Sequence, residues 1–137
     1  MGIKKSVSKL KKELDSWFSK YIRLRESNDY GMTKCFTCGK VDYYKKLQNG
    51  HFQSRRHHYT RWNEQNCQVQ CVKCNMFEQG EQYKFGLNLD AKYGLGTSEE
   101  LELMSKLNIK MTRIDYVELI IYYKNLVNNL IKEKNLK

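Results

Sequence analysis

Two C-x-x-C pairs, Cys35-Phe36-Thr37-Cys38 and Cys71-Val72-Lys73-Cys74, stand 32 residues apart in a chain of 137. Each pair can act as a knuckle in which two thiolates of one turn point at a single ion. Four thiolates at about 2.3 Å complete a closed tetrahedral zinc site. Such a site leaves zinc no open position for a substrate, so the expected role of Cys35, Cys38, Cys71 and Cys74 is structural. The fifth cysteine, Cys67, is assigned to packing. The odd count argues against a disulfide framework.

The partner class follows from charge. Lysine and arginine number 25 against 15 aspartates and glutamates, a formal net charge of +10. The surplus is +4 over residues 1–30, +5 over 31–80 and +1 over 81–137, so an anion-facing surface is expected mainly from the first 80 residues. A polyanion such as DNA is the favoured partner. No apolar run approaches the ~20 residues needed to span a bilayer, and no signal-peptide core opens the chain. The expectation is a cytoplasmic protein without a membrane partner.

No proline and no Gly/Ser-rich linker divides the chain. It reads as an α+β fold of three packed segments: an N-terminal amphipathic helix within 1–30, a zinc-clamped core at 31–96, and a helical segment at 97–137. The first helix is predicted over 4–27, because Leu10, Leu14, Trp17, Phe18, Tyr21 and Leu24 recur at three- and four-residue steps. Its basic face reads as solvated. Thr97 with Glu100 has capping-box form and predicts a helix to about Leu107. Thr112 with Asp115 predicts a longer one over about 113–134. The wide apolar stripe of that last helix suggests a homodimer contact.

The residues between the knuckles separate an enzyme from a binding module. Val41 to Leu47 reads as a short strand, Gln48-Asn49-Gly50 as a turn, and His51-Phe52-Gln53 as the start of a second strand. A cationic loop follows with Arg55, Arg56, His57, His58 and Arg61, the candidate DNA contacts. Trp62 reads as core. Asn66 precedes the second knuckle and Asn75 directly follows it. This order of histidine, asparagine and a polar residue past a knuckle is that of an HNH, or ββα-metal, nuclease core.

Phosphodiester hydrolysis needs a water stripped of its proton and a cation to hold the charge developing on phosphate. His51 is the candidate general base, since imidazole titrates near neutral pH. Asn75 offers an oxygen to a hard divalent ion, magnesium or manganese. Asn66 is expected to tie the loop so that the histidine is aimed. Zinc supplies the rigid frame that such a site requires.

With these residues quoted, the stretch from Gly50-His51-Phe52 through Ser54-Arg55-Arg56, Thr60-Arg61-Trp62 and Asn66 to Gln70-Cys71-x-x-Cys74-Asn75 resembles the phage NinG family, also called Rap. The likeness covers about residues 31–96, including Cys35-Phe36-Thr37-Cys38-Gly39-Lys40 and Tyr93-Gly94. It implies a recombination endonuclease acting on branched DNA such as Holliday junctions and D-loops. The four cysteines with a Cys-Asn step are also similar to the endonuclease VII resolvase. Two departures stand out: Asn75 where many HNH proteins carry histidine, and Gly50 where many carry aspartate. A second protein ligand for the catalytic metal is not identified, with His58, Asn63 and Glu64 the candidates. A twofold-symmetric junction is cut most simply by a homodimer. The rival readings are a non-catalytic zinc-stabilised DNA-binding module and an HNH nicking or restriction nuclease for linear duplex.

Overall fold

A computed structural model describes residues 4–136 as a mixed α+β fold with two small antiparallel sheets. Helix α1 spans Val7–Leu24 and starts where the Ser6 hydroxyl accepts the Lys9 N–H at 3.2 Å. It is shorter than the periodicity predicts at both ends. Strand β1, Met32–Lys34, pairs with β2, Val41–Tyr43, and the first knuckle fills the connection between them. A 3₁₀ turn at Tyr44–Lys46 leads into β3, Gln48–His51.

Gln48-Asn49-Gly50 is not a turn but the body of β3, which pairs with β4, Cys67–Gln70, in the register His51 to Cys67 and Gln48 to Gln70. An Asn-Gly step normally marks a hairpin turn. Here the glycine serves close approach instead, because a Cβ at position 50 would lie 1.9 Å from Gln70 Oε1. That contact also accounts for the missing aspartate at this position: no side chain fits unless Gln70 moves. Likewise, only Val41–Tyr43 of the stretch to Leu47 is extended.

The long β3–β4 connection contains a single helical turn, α2, His58–Arg61. After β4 the second knuckle runs into a five-residue π turn, Lys73–Phe77, and then α3, Gln82–Tyr93. Helix α4, Thr97–Ser105, is not capped as its sequence suggests. Thr97 Oγ1 donates to the Gly94 carbonyl at 2.7 Å, and the Ser98 N–H is taken by Asp90 Oδ1 at 2.8 Å. The α3–α4 link is so short that the end of α3 supplies the cap. Helix α5, Arg113–Glu133, opens with the reciprocal Thr112–Asp115 capping box expected of it.

The main core joins the two ends of the chain to its middle. Leu10, Leu14, Phe18 and Ile22 of α1 pack with Tyr116, Ile120 and Tyr123 of α5, and Cys67 of β4 closes the cluster. Phe18 meets Tyr123 edge-on at 4.9 Å, a geometry worth about 0.5–1.5 kcal/mol beyond area burial. Arg25, just past α1, donates to the backbone carbonyls of Glu64 and Cys67 at 2.9 Å each. The Glu64 carboxylate accepts from the hydroxyls of Tyr21 and Tyr123. Through these bonds α1 is fixed against the strand pair, with one polar face turned toward β3. Among the described residues no helix is long and apolar enough to cross a membrane.

Candidate metal centre and cleft

The two knuckles meet. Sulfur atoms of Cys35, Cys38, Cys71 and Cys74 all lie within 4.8 Å of one another, and Cys38 Sγ is 3.7 Å from Cys71 Sγ. Zinc–sulfur bonds of about 2.3 Å place tetrahedral sulfurs about 3.8 Å apart, so the cluster can hold one zinc ion. Burial pushes the Cys35 thiol up, but hydrogen bonds from Cys38, Cys71 and Thr37 outweigh it and bring it down to about 6. Burial, reinforced by the neighbouring Cys71 and Cys38, pushes Cys74 up to about 12. Four thiolates at this spacing ionise together only around a cation. Cys67 stays apart, fully buried, with burial holding its thiol well above the usual range.

Beside this cluster lies an open cleft of about 690 Å³. One wall is α1, which presents Asp15, Ser19 and Arg23 at four-residue steps. The opposite wall carries Gln48 and His51 of β3, Arg55 of the loop, and Asn75 of the π turn. The strand pair delivers His51 at the last residue of β3, and Asn75 is delivered by the turn that the second knuckle shapes, its N–H donating to the Cys71 carbonyl at 3.0 Å.

His51 Nε2 lies 3.0 Å from the Arg61 carbonyl oxygen. A carbonyl only accepts, so Nε2 carries the proton and Nδ1 is left as the basic nitrogen. Burial lowers the imidazole to about 4; the Arg61 carbonyl opposes that shift, and the Arg55 charge adds to it. The ring is therefore a neutral base at physiological pH. Asn75 Nδ2 donates to Gln48 Oε1 at 2.8 Å, which leaves Oδ1 as a hard oxygen donor on the cleft.

Asn66 sits behind the cleft, wholly buried. Its Oδ1 accepts the Gln53 N–H at 2.8 Å, and its Nδ2 donates to the carbonyls of Gln53 and Thr60 at 3.0 Å each. It ties both limbs of the loop whose Arg61 carbonyl holds His51.

The five candidate DNA contacts of the loop do not act alike. Arg55 is exposed on the cleft, and Arg56 is exposed beside His57. Arg61 turns inward: Nη2 donates to Asp15 Oδ2 at 2.5 Å and Nε to Oδ1 at 3.2 Å, while the guanidinium lies 4.8 Å from the Trp62 ring centroid. Its charge is paired with Asp15 rather than presented to solvent. His57 and His58 face a separate groove against Leu107 and Ile109. Trp62 packs edge-on against Tyr116 and donates Nε1–H to Asp15 at 2.9 Å.

None of the three candidate second metal ligands reaches the cleft. His58 packs beside Trp62, Asn63 caps the turn before Asn66, and Glu64 is held by the two tyrosines. Among the described residues, the carboxylate that does line the cleft is Asp15, and the half-buried cation that shares it with His51 is Arg23. Sequence reasoning passed over both. Their only signal was the 15-19-23 spacing, which is indistinguishable from an ordinary solvated helix face.

A family model described as the bacteriophage Lambda NinG protein matches residues 2–133. No curated protein matches, and no solved structure does.

Proposed function

We propose, from the premise that the chain belongs to the bacteriophage Lambda NinG family, that it is a metal-dependent endonuclease of the HNH type cutting branched DNA during phage recombination. The observation that carries this reading is the sharing of one cleft by His51 and Asn75, with Nδ1 of the first and Oδ1 of the second uncommitted. In it β3, β4 and the turn at Lys73–Phe77 form the ββα-metal unit, braced from behind by zinc in the cysteine cluster.

The mechanism assigns each residue one task. His51 Nδ1 takes the proton from a water aimed at the phosphorus; the Arg61 carbonyl keeps the ring in the required tautomer and orientation. Asn66 keeps that carbonyl in place by bridging Gln53 and Thr60. Asn75 Oδ1 is the protein donor for magnesium or manganese, which when bound neutralises charge on the phosphate and the leaving 3′-oxygen. Gln48 fixes the Asn75 amide so that oxygen, not nitrogen, faces the cleft. The products are 5′-phosphate and 3′-hydroxyl ends.

Branched DNA is read by shape, through phosphate contacts from Arg55 and Arg56 and neighbouring His57 and His58. Two copies related by a twofold axis place one cleft on each of two symmetric strands. The outer face of α5, with Ile114, Val117, Ile121 and Tyr122 exposed, is the surface on which the copies meet.

The test is cleavage of an immobile four-way junction in magnesium, with chelator as control and linear duplex of matched sequence as comparison. His51→Ala must abolish cutting while junction binding and zinc content persist. Wild-type cutting by His51→Ala removes the base assignment, equal rates on junction and duplex remove the branched-DNA claim, and binding without any cutting leaves a DNA-holding module.

A further inference from the structure

Among the described residues that line the cleft, Arg23 is the charged side chain without a carboxylate partner. It sits two turns beyond Asp15 on the α1 wall, facing His51 and Asn75 across the same space. Its Nε donates to the Ser19 carbonyl at 3.2 Å and to Ser19 Oγ at 3.1 Å, and Nη1 donates to the Tyr44 carbonyl at 3.1 Å. These bonds hold one edge of the guanidinium still and leave Nη2 without a partner among the described residues. No carboxylate among them lies within ion-pairing distance of it, whereas Arg61 and Arg55 both face Asp15.

Arg23 is half-buried, so its guanidinium gives up part of its hydration with no carboxylate to offset the loss. Burial indeed lowers the Arg23 guanidinium below its ordinary value. The core does not depend on it, because Leu14, Phe18 and Ile22 serve the core from the other side of α1, and its contacts with Tyr44, a bond to the carbonyl and the ring 5.9 Å away, leave Nη2 without a protein partner. What does suit a preset, half-satisfied guanidinium fork is a phosphate, whose oxygens it meets with paired N–H donors at no further ordering cost.

We propose that Arg23 is a phosphate-binding residue of the cleft, preset by Ser19 and Tyr44 to hold a non-bridging oxygen of the phosphodiester presented to His51. The assignment rests on reading the cleft as a nucleic-acid site. It makes α1 part of the working surface, not only a buttress.

The experiment uses full-length Arg23→Gln and Arg23→Lys, each checked for a wild-type circular dichroism spectrum and zinc content. Binding of a fluorescent four-way junction is measured in calcium across a salt series, and single-turnover cleavage in magnesium. Each phosphate contact contributes about 0.9 to the slope of log affinity against log salt, so Arg23→Gln lowers the slope by about that amount. Loss of a preorganised donor lowers the cleavage rate roughly 10²–10³-fold. Arg23→Lys restores the slope but only part of the rate, since an ammonium lacks the fork. An unchanged slope and rate in Arg23→Gln overturns the proposal, as does full recovery of rate by lysine. If the wild type cuts no substrate, the nuclease reading falls, and the slope difference alone still decides whether Arg23 holds phosphate.

Discussion

Replacing Asp15 by alanine tests whether α1 and the β3–β4 loop are energetically one unit. The carboxylate accepts two bonds from Arg61 and one from Trp62 Nε1. The paired side chains are 16% and 21% exposed for Arg61 and Asp15, so solvent screens the pair only in part. Removing one partner of a fully buried pair costs about 3–5 kcal/mol; discounted for this exposure, the loss is about 2–4 kcal/mol. At about 2.1 cal/mol/K of unfolding entropy per residue, 137 residues give about 0.3 kcal/mol/K, hence a fall in Tm of roughly 7–14 °C. Asp15→Asn keeps an oxygen for Trp62 and falls between. The double variant Asp15→Ala/Arg61→Met removes the stranded charge and regains most of the loss. Function responds separately, because the Arg61 backbone carbonyl that orients His51 shifts with its side chain, and a displacement near 1 Å costs about 10²-fold in rate. Urea melts and differential scanning calorimetry read the stability, junction cleavage the rate. Asp15→Ala melting within about 2 °C of wild type, with no gain in the double variant, refutes the coupling.

Three further outcomes are expected. Metal analysis finds one zinc per chain, and Cys71→Ser or strong chelation removes it together with the structure of both knuckles; a chelated protein with an unchanged spectrum contradicts a structural ion. The His51 ring titrates near 4 by NMR, so cleavage keeps its base down to about pH 5, and an acid limb at 6.5 is the result that fails. Because the folded value lies below the unfolded 6.5, the unfolded chain binds the extra proton as pH drops between 6.5 and about 4. Stability is intact above that window and declines by roughly 3 kcal/mol across it. Gly50→Ala drives a Cβ into Gln70, whose Nε2 is held by Thr37 and Gly80; overpacking of this kind lowers stability by about 1–3 kcal/mol, and a neutral melt means Gln70 swings aside.

What could be read from the chain was what local chemistry encodes. The knuckles follow from spacing alone, because thiolate pairs two residues apart share one turn wherever that turn lies. Thr112 and Asp115 form their box within one helical turn, so tertiary context does not intrude. Thr97 failed for the opposite reason: Asp90, on the preceding helix, takes the Ser98 N–H and hydroxyl, and the helix starts one residue earlier, with the Glu100 N–H donating to the Gly96 carbonyl. Gln48-Asn49-Gly50 carried a turn signal, yet the choice between turn and strand lay with Gln70, twenty residues on, whose side chain fills the space above the glycine. Asp15 and Arg23 were illegible for a deeper reason. A helix with polar residues four apart looks the same whether that face meets water or a cleft, and only the packing of α1 on α5 and Cys67 decides which.

That packing also explains why the family match runs over residues 2–133 and not only over the 31–96 stretch that carries the recognisable motifs. A knuckle-bound strand pair by itself buries little more than Cys35, Leu47, Val69, Cys71 and Cys74, too small a cluster to fix a loop in which one carbonyl must stay 3.0 Å from His51 Nε2. The Arg61 side chain is anchored by α1 through Asp15, Glu64 by α1 and α5 through their tyrosines, and the Cys67 thiol by the core that both helices build. Each terminal helix thus constrains a residue of the loop between β3 and β4. Truncating either one is expected to leave zinc in place, since the cysteine cluster is local, while releasing the loop. The nuclease reading therefore requires the whole chain, with metal content and junction cleavage separating on truncation.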